Sequence, residues 1–453
     1  MKKLIAMLLA LVMVLGLVAC GASEPAATEA PKAEVKEEAP AATEAPKAEA
    51  PAGSVYWLNF KPESDEALQK VAALYTEKTG VPVKVVTAAS GTYNETLTAQ
   101  MDKSDAPTLF VVGNAAAVES WGDYCLDLTD TEIAKELNTD AYMLYDADGK
   151  LCSIGYCYEC YGIIVNNELL EKAGYEKGYI TNFATLKEVA EDVHARAAEL
   201  GFDAFTSAGM DGSSSWRFTG HLINMAYYYE SVDAPEAWAT CPAEIKGTYM
   251  DNYRNLYDLM VVNSATPRAD LANGGFDAAA EFANGEALFY FNGNWEWSGL
   301  SEKGMKAESL SMIPYYGGVE GEEKAGLNCG TENYWAVNSE ASEEDIAATL
   351  AFMKWMVTDP EASEIAVGTF GVMPYKNAAT STNPFLADAN AYANAGHYTM
   401  PWVTNYQPNV DAYRATAVSA LNAYNADPTD ANWATVVTAF VDGWAVQYKA
   451  ANG

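Results

Sequence analysis

The sequence is poor in positive charge and in histidine. Its 453 residues carry 27 Lys and Arg against 62 Asp and Glu, with three His, and the formal net charge is −35. Such a chain is repelled by nucleic acid, by anionic lipid surfaces and by acidic polysaccharides. Neutral or cationic ligands are the natural partners, and nucleic acid is not one. The acids are scattered, so the charge is chiefly a solubility feature. His194, His221 and His397 lack metal-ligand spacing, and no Ser-His-Asp, zinc or phosphate-loop motif appears. No catalytic residue, metal or cofactor is assigned. A long apolar run is also missing: Leu4–Leu17 is too short for a stable membrane span.

That short run has another reading. Met1-Lys2-Lys3 is a basic start, Leu4–Leu17 an apolar centre, and Leu17-Val18-Ala19-Cys20-Gly21 follows. These are signal-peptide flanks, and the small residues before Cys20 resemble a bacterial lipobox. The resemblance implies cleavage after residue 19 and lipidation of Cys20. Loss of Lys2 and Lys3 takes the charge from −35 to −37. Each buried methylene of an acyl chain contributes ~0.8 kcal/mol, so several chains hold a protein at a membrane almost permanently. Gly21–Gly53 is Ala/Glu/Pro/Lys-rich, with AATEAPKAE at Ala26–Glu34 and again at Ala41–Glu49. It cannot build a core and is expected to be an extended tether. The remaining six Cys allow fifteen disulfide pairings. Cys157-x-x-Cys160 has a redox-motif spacing, but lies in a strand-like segment without the usual turn. Buried thiols are the expectation.

From Ser54 the chain reads as folded, and half of its residues are hydrophobic. Val55–Leu58 is a strand signal, Ser64–Thr79 an amphipathic helix ended by Gly80, and Val81–Thr87 a strand. Tyr93–Met101 is a helix, Thr108–Val112 a strand and Ala115–Trp121 a helix. This βαβαβ order argues for an α/β lobe. Ligands bind at the carboxyl ends of such strands, which places Asn59, Lys61 and Asn114 near a site; each reads equally well as a turn residue. Asp146-Ala147-Asp148-Gly149 begins like a calcium loop, but Cys157 stands where the closing Glu belongs, so it is a turn. Tyr156–Tyr161 is aromatic, Gly162–Val165 a buried strand, and Asn166–Asn167 cap a helix over Glu168–Lys172. Single helices are expected over Phe183–Leu200 and Trp216–Tyr229. Asn328–Asn338 passes through a Gly-containing loop into a strand, Tyr334–Val337. Ser342 with Asp345 forms a capping box for the helix Ser342–Asp359. The tail, Asp411–Tyr448, is helical with two turns.

Several of these segments, in order, resemble the family-1 extracellular solute-binding proteins of ABC transporters. LYTEKTGVPV at Leu74–Val83 resembles a family helix end and second strand. Glu159–Gly174 has the family's Glu-to-Asn spacing at the chain's passage to the second lobe. Phe282–Trp297, FANGEALFYFNGNWEW, is the clearest match, and Thr349–Pro360 and Gly371–Pro374 follow in place. The resemblance implies an α/β, two-lobed periplasmic-binding-protein-like fold with a hinge and an interlobe cleft. Residues 1–19 are then a signal peptide and 20–53 the lipidated tether. Residues 54–161 with about 329–372 form one lobe, and 162–328 with about 373–453 the other, the chain crossing near Tyr161, Cys329 and Met373.

By the same resemblance, Glu159 accepts hydrogen bonds from sugar hydroxyls and a sugar ring stacks on Trp295. Trp216, Arg217 and Trp402 align with further walls of the cleft. Maltose-binding relatives carry a Trp and an acid where this chain has Val112 and Ala115, so the first lobe must hold its ligand differently. The chemistry is apt, because aromatic rings cover the apolar faces of sugars while carboxylates and amides pair their hydroxyls. The function implied is a monomeric, lipid-anchored receptor on the extracellular face of the bacterial membrane. It captures a neutral oligosaccharide, first a malto-oligosaccharide, for ABC permease subunits. The alternatives are a surface polysaccharide adhesin or a glycoside hydrolase, which would need two carboxylates flanking a bond.

Overall fold

The computed structural model describes residues 53–211 and 214–452. Cys20, the signal segment and the tether lie outside the described residues. Twelve strands occur among the described residues. They are β1 (Val55–Asn59), β2 (Val83–Thr87), β3 (Leu109–Val111), β4 (Met143–Tyr145), β5 (Leu151–Gly155) and β6 (Glu159–Asn166), then β7 (Asp203–Phe205), β8 (Ala287–Gly293), β9 (Leu310–Ile313), β10 (Ala325–Gly330), β11 (Tyr334–Val337) and β12 (Tyr398–Pro401).

They form two sheets. The first runs β2-β1-β3-β11-β5-β4, and the second β12-β10-β6-β8-β7 with β9 also on β6. In the first, β1 is parallel to β2 and β3, as the βαβαβ reading requires, while β11 returns antiparallel between β3 and β5. All five residues of β1 and all eight of β6 are buried. Strands covered on both faces read as continuous apolar runs, and helices supply the cover. Asp65–Thr79, Glu343–Thr358 and Pro360–Phe370 enclose the first sheet around Trp57, Trp335, Tyr156 and Phe370. The second sheet carries the larger core, with the antiparallel helix pair Val410–Ala426 and Asp430–Asn452 on one side and Pro384–Asn394 on another. No helix among the described residues is long and apolar enough to cross a membrane.

The chain passes between the sheets three times. It leaves β5 at Gly155 and joins β6 at Glu159; it leaves β10 at Gly330 and joins β11 at Tyr334. These passages lie side by side, since the Tyr156 amide donates to the Asn333 carbonyl at 2.9 Å and the Tyr158 amide to the Val372 carbonyl at 2.7 Å. The third passage lies between Val372 and Asn383. Met373 and Tyr375 are buried in the first core, and the Tyr375 hydroxyl donates to the Gly155 carbonyl at 3.0 Å. Val372 already packs against the cluster beneath the second sheet, and the chain joins that side fully at Asn383, whose Nδ2 donates to the Asn294 carbonyl at 2.8 Å.

Local differences from the sequence reading have physical causes. The helix expected over Phe183–Leu200 breaks at Arg196, which turns out of helical geometry and binds the Ala173 carbonyl. The segment expected as one helix from Trp216 begins with a π-helix, Arg217–Leu222, before α-helix over Ile223–Asp233. Asn328–Gly330, expected as the start of a loop, instead end strand β10; Asn328 and Gly330 have low strand propensity, and pairing with β6 and β12 overrides it. Ser342 caps its helix through the Asp345 amide. Asp345 does not complete the box, because its carboxylate instead accepts from Ser54 and from the Ser342 hydroxyl. The tail has one turn between its two helices, not two.

Candidate functional site

Tyr161 is the third residue of β6 and is fully buried. Its ring lies flat on the His221 imidazole, with centroids 4.0 Å apart and planes 6° from parallel. Trp402 is 5.2 Å from the Tyr161 ring, Tyr315 5.6 Å and Trp295 6.5 Å. Trp216 closes the ring of aromatics, 4.8 Å from His221 and 6.1 Å from Trp295. Aromatic pairs at such spacings are worth about 0.5–1.5 kcal/mol beyond their burial.

Two glycines make this assembly fit. A Cβ on Gly293 would lie 2.2 Å from the Trp295 ring, and one on Gly330 2.8 Å from that of Trp402. Each indole therefore rests directly on strand backbone that only glycine leaves bare. The π-helix supplies the other wall. Its wider turn carries Arg217 and His221 to the cluster, and π-turns are often found at functional sites. At Gly220 the backbone meets the Arg414 guanidinium, 2.9 Å from where a Cβ would be.

The first lobe contributes through a short turn after β1. Asn59 is buried; its Nδ2 donates to the Lys61 carbonyl at 2.7 Å and its Oδ1 accepts from the Lys61 amide at 3.0 Å. It is therefore the turn residue that aims Lys61. The Lys61 ammonium lies 2.7 Å from Glu159 Oε1, 2.8 Å from Glu63 and 5.6 Å from the Trp295 ring centroid. The second Glu159 oxygen accepts from Asn333 Nδ2 at 2.6 Å. Glu159 is 2% exposed and Lys61 4%. Burial alone would lower the Lys61 ammonium, but Glu159 and Glu63 outweigh it and hold it well above its ordinary range. Both Glu159 oxygens are engaged within the protein.

Arg217 is buried, with its guanidinium carbon 4.4 Å over the Trp216 ring and Nη1 donating to the Ser214 hydroxyl at 2.8 Å. Neither Arg217 nor Arg414 has a carboxylate within 4 Å among the described residues, whereas Arg196, Arg254 and Arg268 do. Burial pushes the His221 imidazole well below its usual range, and Arg414, Arg217 and Lys61 push the same way. Several polar atoms of the assembly have no partner: Tyr161 Oη, Tyr315 Oη, Trp402 Nε1 and Arg217 Nε. A buried polar atom left unpaired costs about 1–3 kcal/mol. Among the described residues no group of His, Cys, Asp and Glu could hold a metal ion.

The structure therefore brings together Glu159, Lys61, Trp295, Trp216, Arg217 and Trp402. The Asn114 side chain accepts from the Ala117 amide at 2.8 Å and caps the helix Ala115–Trp121. Tyr161, His221, Tyr315 and Asn333 were not assigned from sequence. Tyr161 could have been, as it stands two residues past Glu159 on one strand and so shares its face. His221 could not, since a π-helix has no sequence period to reveal it.

The lobes touch at the rim as well. Asn94 Nδ2 donates to Asp411 at 3.0 Å, and Asn405 Nδ2 to the Thr331 carbonyl at 2.9 Å. Helix Ala115–Trp121 meets the turn Val403–Tyr406.

A sequence model of the bacterial extracellular solute-binding proteins matches residues 70–394. The sequence matches none of the curated proteins it was compared with. Among solved structures, the solute-binding protein RafE in complex with raffinose is similar at a TM-score of 0.68 and 18% identity, over 86% of this chain and 99% of that one. RafE from Streptococcus pneumoniae in its apo form gives 0.62 at 17%, over 88% and 100%. The ABC substrate-binding protein Lmo0181 from Listeria monocytogenes, in complex with cycloalternan, gives 0.60 at 16%, over 89% and 98%. The likeness shows the fold: two α/β lobes of the periplasmic-binding-protein type, joined by a hinge and facing one another across a cleft.

Proposed function

Because the chain belongs to the bacterial extracellular solute-binding proteins, we propose that it captures an oligosaccharide at the Tyr161–His221–Trp216–Trp295–Trp402 cluster and delivers it to ABC permease subunits. The observation that carries this reading is the coincidence of an aromatic cluster with buried hydroxyl, indole and guanidinium Nε atoms that have no protein partner. Sugars present the complement of both, apolar ring faces and a belt of hydroxyls. The protein performs no chemistry in this account. Binding between the lobes shifts their open–closed equilibrium, and the closed form is what the permease receives. An affinity in the micromolar range, about −8 kcal/mol, suffices.

The net charge of −35 favours a neutral ligand. Malto-oligosaccharides stand first by sequence resemblance. The structural neighbours broaden the choice, since one is bound to raffinose, another to cycloalternan, and a third is a chitin oligosaccharide binding protein. Lipidation at Cys20, with the tether holding a monomer off the membrane, completes the proposal. Titration calorimetry of the chain against maltotriose, raffinose, chito- and xylo-oligosaccharides tests it. Saturable binding of one class with the sugar recovered intact supports the reading. Cleaved sugar would make the protein a hydrolase. Affinity only for insoluble polymer would make it an adhesin.

A further inference from the structure

We propose that Cys160 and Cys329 form a disulfide when the chain folds outside the cell, stapling the two strands that lead to the hinge. The six Cys among the described residues are all free thiols in this structure, and the fold sorts them. Cys157 and Cys160, despite their CxxC spacing, face different cores: Cys157 lies in that of the first sheet and Cys160 in a cluster beneath the second. Cys160 has a different neighbour, because it is the register partner of Cys329 across the antiparallel pair β6–β10.

The type of pair decides whether a bond can form. The Cys160 amide donates to Asn294 Oδ1 at 2.7 Å, and its carbonyl accepts from the Asn294 amide at 2.9 Å. Both main-chain groups of Cys160 thus point away from β10, toward β8. Cys160 and Cys329 are therefore a non-hydrogen-bonded pair, in which Cα atoms come to about 4.5 Å and side chains are closest. That separation lies at the short end of the range disulfides span, about 4.4–6.8 Å. Side chains of a register pair share one face, and both residues belong to the same buried cluster.

The thiols are 0% and 6% exposed, and Cys160 Sγ lies 3.5 Å from the Phe385 carbonyl. The exchange therefore belongs to folding, before the helix Pro384–Asn394 covers the pair. One cysteine thiolate attacks a sulfur of an external disulfide, a small-molecule or a protein one, and releases one thiol. The second cysteine then attacks the mixed disulfide and releases the other. Two protein thiols become one disulfide while the external disulfide becomes two thiols. The family's extracellular setting permits this chemistry.

The bond would sit where it matters mechanically. Cys160 follows the passage at residues 156–158, and Cys329 precedes the one at 331–333. Joining them fixes the spacing of both strands on the second-lobe side, so that bending at these two passages stays within residues 156–158 and 331–333.

The full chain is refolded in a glutathione buffer at an oxidising poise, alkylated in denaturant and mapped by peptide mass spectrometry. A linked peptide pair containing Cys160 and Cys329, two hydrogens lighter than its parts and absent after reduction, is expected. Cys160→Ala and Cys329→Ala should each leave the partner singly alkylated. Recovery of both wild-type cysteines singly alkylated, or linkage of Cys160 to Cys157, would overturn the assignment. Amide exchange in β6 and β10 should be at least several-fold slower in the oxidised than in the reduced chain. Equal rates would overturn the staple.

Discussion

Lys61 and Glu159 stand 2.7 Å apart and belong to different sheets, one just past the end of β1 and the other at the first residue of β6. Their contact joins the lobes beside the first passage of the chain, and Asn333 at the second passage holds the other carboxylate oxygen. A buried pair of this kind adds little net stability over an apolar replacement, but breaking it from one side leaves a bare charge. Its value here is registration. It fixes where the first lobe meets the base of the aromatic cluster, with the ammonium 5.6 Å from the Trp295 ring.

Lys61→Met should therefore cost about 3–5 kcal/mol, the effect of a buried carboxylate stripped of its partner. Adding Glu159→Gln should recover most of that loss. Denaturant midpoints of the single and double variants measure both. If the single variant loses under about 1 kcal/mol, the pair does not register the lobes.

A pH response follows from His221. Its folded pKa is depressed, so it contributes stability above its unfolded value near 6.5, and that stability is lost as pH falls toward the folded pKa. The ring is partly exposed, which limits the effect to about 1 kcal/mol. Wild type should lose that much more stability than His221→Asn between pH 8 and pH 5, read by urea unfolding at each pH. An identical loss in both would show that the imidazole is protonated without penalty.

Gly293→Ala should disturb binding more than folding. The added Cβ meets the Trp295 ring at 2.2 Å, and the indole at the cluster's edge is freer to move than the strand. Overpacking of this kind costs about 1–3 kcal/mol. Sugar affinity should fall at least tenfold, by calorimetry, with the thermal midpoint changing by only a few degrees. Unchanged affinity would remove Trp295's placement on Gly293 from the site.

The first lobe was legible because its signals are local. Gly80 ends a helix in left-handed geometry at φ 77°, and Tyr93–Met101 and Ala115–Trp121 occur where periodicity places them. Asn166 caps as expected, through the amides of Glu168 and Leu169. The site was legible only in part, because it depends on contacts distant in sequence. Glu159 and Lys61 were both singled out, but nothing in their spacing says that they neutralise each other across 98 positions. Tyr161 and His221 meet face to face through a π-helix whose geometry no period announces. Asn114 shows the ambiguity of such positions: a residue at a strand's carboxyl end reads equally as a turn residue or a ligand contact, and here its side chain caps a helix.

The account rests on a sugar stacking against Trp295 within the aromatic cluster. Its most direct test is a paired calorimetric titration of wild type and Trp295→Ala with the oligosaccharide class that wild type binds, alongside denaturant unfolding of both. The account predicts micromolar binding by wild type and at least a tenfold weaker affinity in the variant, about 1.4 kcal/mol or more, with folding retained. Equal affinity in the two proteins would place the ligand elsewhere and contradict it.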